Sequence, residues 1–126
     1  MSFALLSTLL ASSAFAAPLL PELYITEIEI IDAVPATWRI AVPVANVGNA
    51  PASPVCVDLW SPPGIAPEVG DVSDHRQCVV NLDPGEKAVL YFKLPPASGW
   101  WDAIVDTEDW IAESDETNNV ESNWLQ

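Results

Sequence analysis

The sequence predicts an all-β protein, an Ig-like (Greek-key) β-sandwich of about seven strands. After residue 17, no stretch repeats its apolar side chains with the 3.6-residue period of a helix. Short runs that alternate polar and apolar residues recur instead, between clusters of Pro, Gly, Asn and Asp. The part that follows residue 16 is about 110 residues long, which is enough for one domain with its own core and too short for two.

Residues 1–16 have the features of a secretory signal peptide. The stretch carries no charged side chain and ends in Ala14-Phe15-Ala16, a pattern that a signal peptidase could cut. A membrane anchor is the alternative, but Pro18 and Pro21 interrupt the apolar run before it reaches the roughly 20 residues that a bilayer requires. We therefore expect residues 17–126 to form one exported domain that is secreted, periplasmic or at the cell surface, with no membrane span after cleavage.

The first two strands are predicted in residues 22–33 and 37–45. The apolar positions of the first run change face halfway, which predicts a bulge or a strand that moves between two sheets. They are Leu23, Ile25, Ile28 and Ile30. In the second run Trp38 and the alternate apolar residues after it share one face. Pro43 lies within this run, and because it has no N–H we expect it to face a sheet edge or a bulge.

The later strands are predicted between turn and loop signals. Residues 55–60 alternate Val and Leu on the core face with Cys56, Asp58 and Trp60 on the other. The Pro- and Gly-rich stretch that follows predicts a long loop, and Asp83-Pro84-Gly85 predicts the turn of a hairpin. The remaining predicted strands are residues 76–82, 86–94, 100–106 and 119–126.

Cys56 and Cys78 are the only cysteines, and each lies in a predicted strand. An even cysteine count in an exported chain predicts a disulfide bond. Closing a loop of this length would stabilise the fold by about 3 kcal/mol in the chain-entropy model. A metal site is a poor alternative, because the pair lacks the CxxC spacing and a nearby pair of histidines.

Several local patterns occur in an order that resembles the CARDB family, the cell-adhesion-related domain found in bacteria. They are Leu20-Pro21-Glu22-Leu23, Asn46-Val47-Gly48-Asn49-Ala50, Leu82-Asp83-Pro84-Gly85-Glu86 and the closing stretch from Ile111 to Asn119. The resemblance covers residues 21–124, and its most specific part is "ESDETNN". It implies a seven-stranded Ig-like sandwich on an exported protein, with a role in adhesion or binding and no catalytic residues. The disulfide pair and the six Trp residues are not general features of that family.

The acidic connection before the last strand is the first candidate site. Its carboxylates Asp106, Glu113, Asp115 and Glu116 are hard oxygen ligands that suit calcium, although their order is not that of an EF-hand. The alternative is that Asp, Glu and Asn side chains of this connection bind its backbone amides, as in Asx-turns. We favour this second interpretation because it requires no ligand.

The tryptophans are the second candidate site. Trp38 falls on the apolar phase of its strand and is predicted to lie in the core. The neighbours Trp100 and Trp101 must point to opposite faces of a strand, so one of them is expected outside. With Trp60 and Trp110, the exposed one would form an aromatic patch suited to sugar rings or to a protein partner. The alternative is that such residues cover the open end of the sandwich.

The charge balance and the single histidine exclude several functions. The chain has 18 acidic and 4 basic residues and a net charge of −14, so it repels nucleic acid and anionic lipid and favours divalent cations or basic partners. His75, the only histidine, lies in a polar stretch with no nucleophile elbow, and we predict no catalytic residues.

The sequence therefore predicts a non-enzymatic binding or adhesion module of the cell surface or secretome, with a protein or glycan partner. Two alternatives remain open. One is a calcium- or carbohydrate-binding, lectin-like module. The other is a structural component that associates with its own copies through strand edges. No cofactor is expected unless calcium binds.

Overall fold

The computed structural model describes residues 19–63, 67, 73, 75–105 and 119–126, and these residues form eight β-strands and no helix. The strands are β1 (Leu23–Ile25), β2 (Glu29–Val34), β3 (Thr37–Asn46), β4 (Val55–Trp60), β5 (His75–Val79), β6 (Lys87–Leu94), β7 (Gly99–Val105) and β8 (Val120–Leu125). The all-β prediction is confirmed. The count is eight because the first predicted strand, residues 22–33, is divided into β1 and β2.

The strands form two four-stranded antiparallel sheets. In the first sheet β3 is central, with β6 along one edge and with β1 and β2 end to end along the other. The second sheet has the order β5-β4-β7-β8. The chain passes between the sheets from β3 to β4, from β5 to β6 and from β6 to β7, as a sandwich requires. The hairpin predicted at Asp83-Pro84-Gly85 is wrong, because this turn joins β5 of one sheet to β6 of the other. Within the described residues, no helix is long and apolar enough to cross a membrane.

Pro43 explains where β1 ends. In an antiparallel strand the N and the C=O of one residue point to the same side. The Pro43 carbonyl accepts a hydrogen bond from the Thr26 amide at 3.2 Å. The Pro43 nitrogen, which has no hydrogen, therefore also faces the break between β1 and β2. The ladder breaks at this point, and the apolar phase changes from Leu23 and Ile25 to Ile28. We expected Pro43 to face a sheet edge or a bulge; it faces instead the break between β1 and β2, on the central strand β3.

The core lies between the sheets and follows the alternation of the strands. On β3 the even-numbered residues point inward, and on β4 and β7 the odd-numbered residues do. Trp38 and Trp101 meet at this interface with their ring centroids 6.3 Å apart, and both are buried. The indole N–H of Trp101 donates to the Ala97 carbonyl at 2.8 Å, so its burial leaves no donor unpaired.

Cys56 and Cys78 form the predicted disulfide bond. They are opposite each other in the register of β4 and β5, and the bond lies on the outer face of the second sheet, because the core-facing neighbours Val55 and Val57 point the other way. The disulfide therefore joins an edge strand to its only ladder partner within the described sheet.

Asn46, at the end of β3, connects three segments: the entry into β1, the turn after β3 and the segment before β6. Its side-chain oxygen accepts hydrogen bonds from the Glu22 amide at 3.1 Å and the Gly48 amide at 3.0 Å. Its side-chain NH₂ donates to the carbonyls of Ala50 at 2.8 Å and Leu82 at 2.9 Å. The side chain is fully buried. All of its usual donor and acceptor positions are thus used, and no water is needed to satisfy them.

We predict that Asn46→Ala lowers the free energy of unfolding by about 3 kcal/mol or more, because several backbone groups lose their partner together. Asn49→Ala is the matched control: the Asn49 side-chain oxygen accepts one exposed hydrogen bond, from the Leu20 amide at 2.8 Å. That variant should lose no more than about 1 kcal/mol. Urea denaturation of the three proteins measures both values, and equal losses would contradict the role assigned to Asn46.

The side chain of Asn123, on β8 of the second sheet, reaches the first sheet at the break between β1 and β2. Its side-chain oxygen accepts a hydrogen bond from the Ile28 amide at 2.7 Å. Glu121 lies two residues before Asn123 on the same strand, and partial burial raises the pKa of its carboxyl. A hydrogen bond with Asn123 opposes this shift, and the negative charge of Glu27 adds to it. The folded protein therefore holds the Glu121 proton more tightly than the unfolded chain does.

This raised pKa makes the Glu121 contribution to stability pH-dependent. The folded state binds more protons than the unfolded state, so stability declines as pH rises from the ordinary Glu pKa of about 4.3 and through the folded-state value. We predict that Glu121→Gln matches the natural protein near pH 3.5 and melts at a higher temperature at pH 7. Thermal melts across this range measure the difference. A difference that does not change with pH would contradict the prediction, and Glu27→Gln should reproduce part of the effect.

Candidate functional site

The outer face of the second sheet carries an exposed aromatic surface. We call it the tryptophan face and define it as Trp60, Trp100 and Trp124 with Asp102 and Ser122. Strand alternation produces it: on β7 the buried Trp101 and Ala103 point to the core, so Trp100 and Asp102 point outward. The register of β7 with β8 sets Trp124 opposite Trp100 and Ser122 opposite Asp102.

Trp100 and Trp124 contact each other on the solvent-exposed face of the sheet. Their ring centroids are 5.7 Å apart and their planes meet at 82°, an edge-to-face arrangement that aromatic pairs favour. Even so, 59% of Trp100 and 54% of Trp124 remain exposed. Large aromatic residues are usually well buried, so two adjacent ones left in water on a flat strand surface indicate an interaction site.

A polar row lies beside the indole pair. The Ser122 hydroxyl donates a hydrogen bond to the Asp102 carboxylate, and Trp60 is opposite Asp102 in the register of β4 with β7. The remaining carboxylate oxygen of Asp102 can accept a further hydrogen bond. The tryptophan face therefore combines apolar ring surface with acceptor oxygens two residues further along the same strands.

Gly99 is the first residue of β7, and the chain can begin the strand here only because the residue is a glycine. Its φ of +145° is a backbone conformation that residues other than glycine rarely adopt. A Cβ at this position would lie 2.8 Å from the Pro62 Cβ, which no real contact tolerates. The close approach of Pro62 to Gly99 thus fixes the start of the strand directly before Trp100.

Asp58 is a buried carboxylate on the same sheet face, two residues before Trp60 on β4. It is only 1% exposed and accepts hydrogen bonds from the Arg76 Nε at 2.8 Å, from a second guanidinium nitrogen at 3.1 Å and from the Ser73 hydroxyl at 2.5 Å. Such a two-point ion pair compensates the cost of burying the charge. Arg76 and Asp58 are directly opposite on β5 and β4, so this pair holds the edge strand.

Some of the predicted site residues lie within the described part of the chain and others lie outside it. Trp100 is the exposed member of its pair and Trp101 the buried one, as expected from their adjacency. Trp110 and the candidate calcium ligands lie outside the described residues; these ligands are Asp106, Glu113, Asp115 and Glu116. Among the residues that the structure does describe, no group of three or more His, Cys, Asp or Glu side chains could hold a metal ion.

Trp124 is the member of the site that the sequence reasoning missed. The alternation of the last strand already puts Val120, Ser122 and Trp124 on one face. What the sequence lacks is the register that brings Trp124 opposite Trp100, because a shift of two residues along β7 would keep the same faces and separate the rings.

The two sheets, the crossing connections and the inward alternation define an Ig-like β-sandwich module. A family model for CARDB matches residues 20–123, and the chain belongs to this family. CARDB is a family of non-catalytic domains. The resemblance seen in the sequence is thereby confirmed, and no curated protein matches the sequence significantly.

Two solved structures of the CARDB domain of one Pyrococcus furiosus protein are similar to this chain. A crystal structure of that domain in complex with di-metal ions has a TM-score of 0.65 and 26% identity, and the match covers 87% of this chain and 96% of the other. A solution structure has a TM-score of 0.62 and 26% identity, covering 84% and 94%. These matches support the sandwich fold over nearly the whole of both chains.

Proposed function

We propose that this protein is an exported, non-enzymatic binding module of the cell surface or secretome, and that its tryptophan face binds a glycan partner. The observation that carries the proposal is the pair of indoles, Trp100 and Trp124, both more than half exposed and in contact with each other. Membership of a family of adhesion-related domains supports a binding role, and the geometry of the face supports a sugar as the ligand.

The chemistry of the face suits a sugar ring. A pyranose presents C–H groups on its faces and hydroxyl groups around its edge. The indole rings of Trp100 and Trp124 offer apolar, electron-rich surface to the C–H groups, and burial of this surface removes it from water. Asp102 and Ser122, the next pair on the same face of β7 and β8, offer oxygen acceptors and a hydroxyl to the ring hydroxyls.

Two features support export. Residues 1–16 have the pattern of a signal peptide. The Cys56–Cys78 disulfide is a bond that persists in oxidising compartments and is rare in the cytosol. Together they favour a secreted, periplasmic or cell-surface location, where a glycan or protein partner is accessible.

We predict that the full chain binds at least one member of a panel of neutral hexasaccharides made of cello-, chito-, manno- and malto-oligomers. Trp124→Ala should weaken that binding about tenfold or more, because a tryptophan anchor is typically worth at least about 1.4 kcal/mol at a binding surface. Isothermal titration calorimetry measures the affinity. Tyr91→Ala is the matched control, since Tyr91 is an aromatic residue on the other sheet that is 44% exposed.

Two results would contradict the glycan proposal. One is equal weakening by Tyr91→Ala and Trp124→Ala. The other is an absence of binding across the panel for a chain that remains folded. If sedimentation velocity then showed association that increases with protein concentration without any ligand, the self-assembling alternative would replace the glycan, because exposed strand edges can pair between copies.

Calcium binding by the acidic connection is the second candidate function. The Pyrococcus furiosus CARDB domain was crystallised with di-metal ions, which favours testing the sequence-based candidates Asp106, Glu113, Asp115 and Glu116. These carboxylates would supply the oxygen ligands that calcium prefers.

If calcium binds the folded chain only, the melting temperature must rise with calcium concentration, by the equivalent of about 2.7 kcal/mol at 100 times the dissociation constant. Glu113→Gln combined with Asp115→Asn should abolish the rise, and Glu29→Gln, an exposed change on β2, should retain it. An unchanged melting temperature at about 5 mM calcium would eliminate calcium and leave the backbone-amide interpretation.

A further inference from the structure

The outer face of the first sheet collects three of the four basic residues of the chain. Arg39 on β3 is directly opposite Lys93 on β6, and Lys87 lies on the same face toward the other end of β6, opposite Ala45. The fourth basic residue, Arg76, is bound to Asp58 on the other sheet. In a chain with a net charge of −14, this is a local reversal of sign.

A hollow of about 350 Å³ opens at one end of this face, beside the turn between β2 and β3. It is lined by Asp32, Val34, Thr37, Arg39 and Lys93. The register explains how they meet: Asp32 is opposite Arg39 on one side of β3, and Lys93 is opposite Arg39 on the other. A carboxylate and two cations therefore lie in one row across three strands.

The two cations of this hollow are not neutralised within the described residues. Like charges directly opposite in a sheet are destabilising, yet neither Arg39 nor Lys93 forms an ion pair with any carboxylate in the described part of the chain. The Arg39 guanidinium lies 4.4 Å from the centroid of the Tyr91 ring, a cation–π contact that holds it in place. Arg39 donates no hydrogen bond to another residue of the described ranges, so its N–H donors remain available to a ligand.

We propose that this hollow binds a uronic acid unit of an acidic polysaccharide. The carboxylate of the sugar would lie between Arg39 and Lys93, where it separates the two like charges and accepts charge-assisted hydrogen bonds. Ring hydroxyls would donate to Asp32 and exchange a hydrogen bond with Thr37. The exposed Val34 side chain provides an apolar wall for the C–H groups of the ring.

The mixed lining selects this ligand class over simpler anions. Asp32 repels a second negative group, so a phosphate dianion or a peptide of consecutive acidic residues fits the row less well than one carboxylate flanked by hydroxyl donors. The acidic charge elsewhere on the chain acts weakly, since exposed charges more than about 8 Å away are screened at physiological salt. The site lies on the opposite side of the sandwich from the tryptophan face, so it does not depend on the glycan proposal.

The test is an NMR titration of the ¹⁵N-labelled full chain with trigalacturonate. We expect saturable shifts of the Arg39 side-chain N–H and of amides next to the hollow, and no such shifts with neutral galactotriose. Lys93→Gln should weaken binding about tenfold, the effect of one lost charge-assisted hydrogen bond. Lys87→Gln makes the same charge change on the same face outside the hollow and should leave the affinity unchanged.

Three results would overturn the proposal. Equal weakening by Lys87→Gln and Lys93→Gln would mean general charge attraction only. Triaspartate binding as tightly as trigalacturonate would mean recognition of acidic peptide instead of a sugar acid. Tighter binding of trigalacturonate by Asp32→Ala would mean that Asp32 only repels the ligand and accepts no hydrogen bond from its hydroxyl groups. Thermal melts of each variant establish that the compared proteins are folded.

Discussion

The buried side chain of Asn46 is the interaction on which the described fold depends most. A primary amide in an apolar interior is costly unless both of its acceptor positions and both of its donors are used. Here they are used by backbone groups from the entry into β1, from the turn after β3 and from the segment before β6. The main chain of Asn46 adds bonds to the Glu86 carbonyl and the Gly85 amide. One residue thus closes one end of the sandwich.

This arrangement leaves the outer faces of both sheets available for binding. The core is built from inward-pointing residues of β3, β4, β6 and β7, and the second sheet is further held by the Cys56–Cys78 bond and the Asp58–Arg76 pair. None of these requires the exposed indoles of Trp100 and Trp124 or the exposed cations of Arg39 and Lys93. The exposed indoles cost free energy in water, and the two facing cations repel each other. Since none of these side chains adds to the core, they are the ones that a partner would use.

The sequence was sufficient for the features that depend on alternation alone. The burial of Trp38 and Trp101 and the outward position of Trp100 follow from which face of the sheet a residue occupies. Features that depend on pairing between strands were not predictable. Trp124 meets Trp100, and Arg39 meets Lys93, only through register, which long-range packing determines. The candidate calcium ligands and Trp110 lie outside the described residues, so those predictions stand as predictions.

A binding role for the tryptophan face is tested most directly by oxidative footprinting of the six tryptophans by mass spectrometry, with and without purified polysaccharide from the host envelope. We expect Trp100 and Trp124 to be oxidised in the free protein and protected by the polysaccharide, whereas Trp38 and Trp101 resist oxidation in both states because the core covers them. Equal oxidation of Trp100 and Trp124 with and without polysaccharide, in a chain whose core tryptophans stay protected, would contradict a binding role for the tryptophan face.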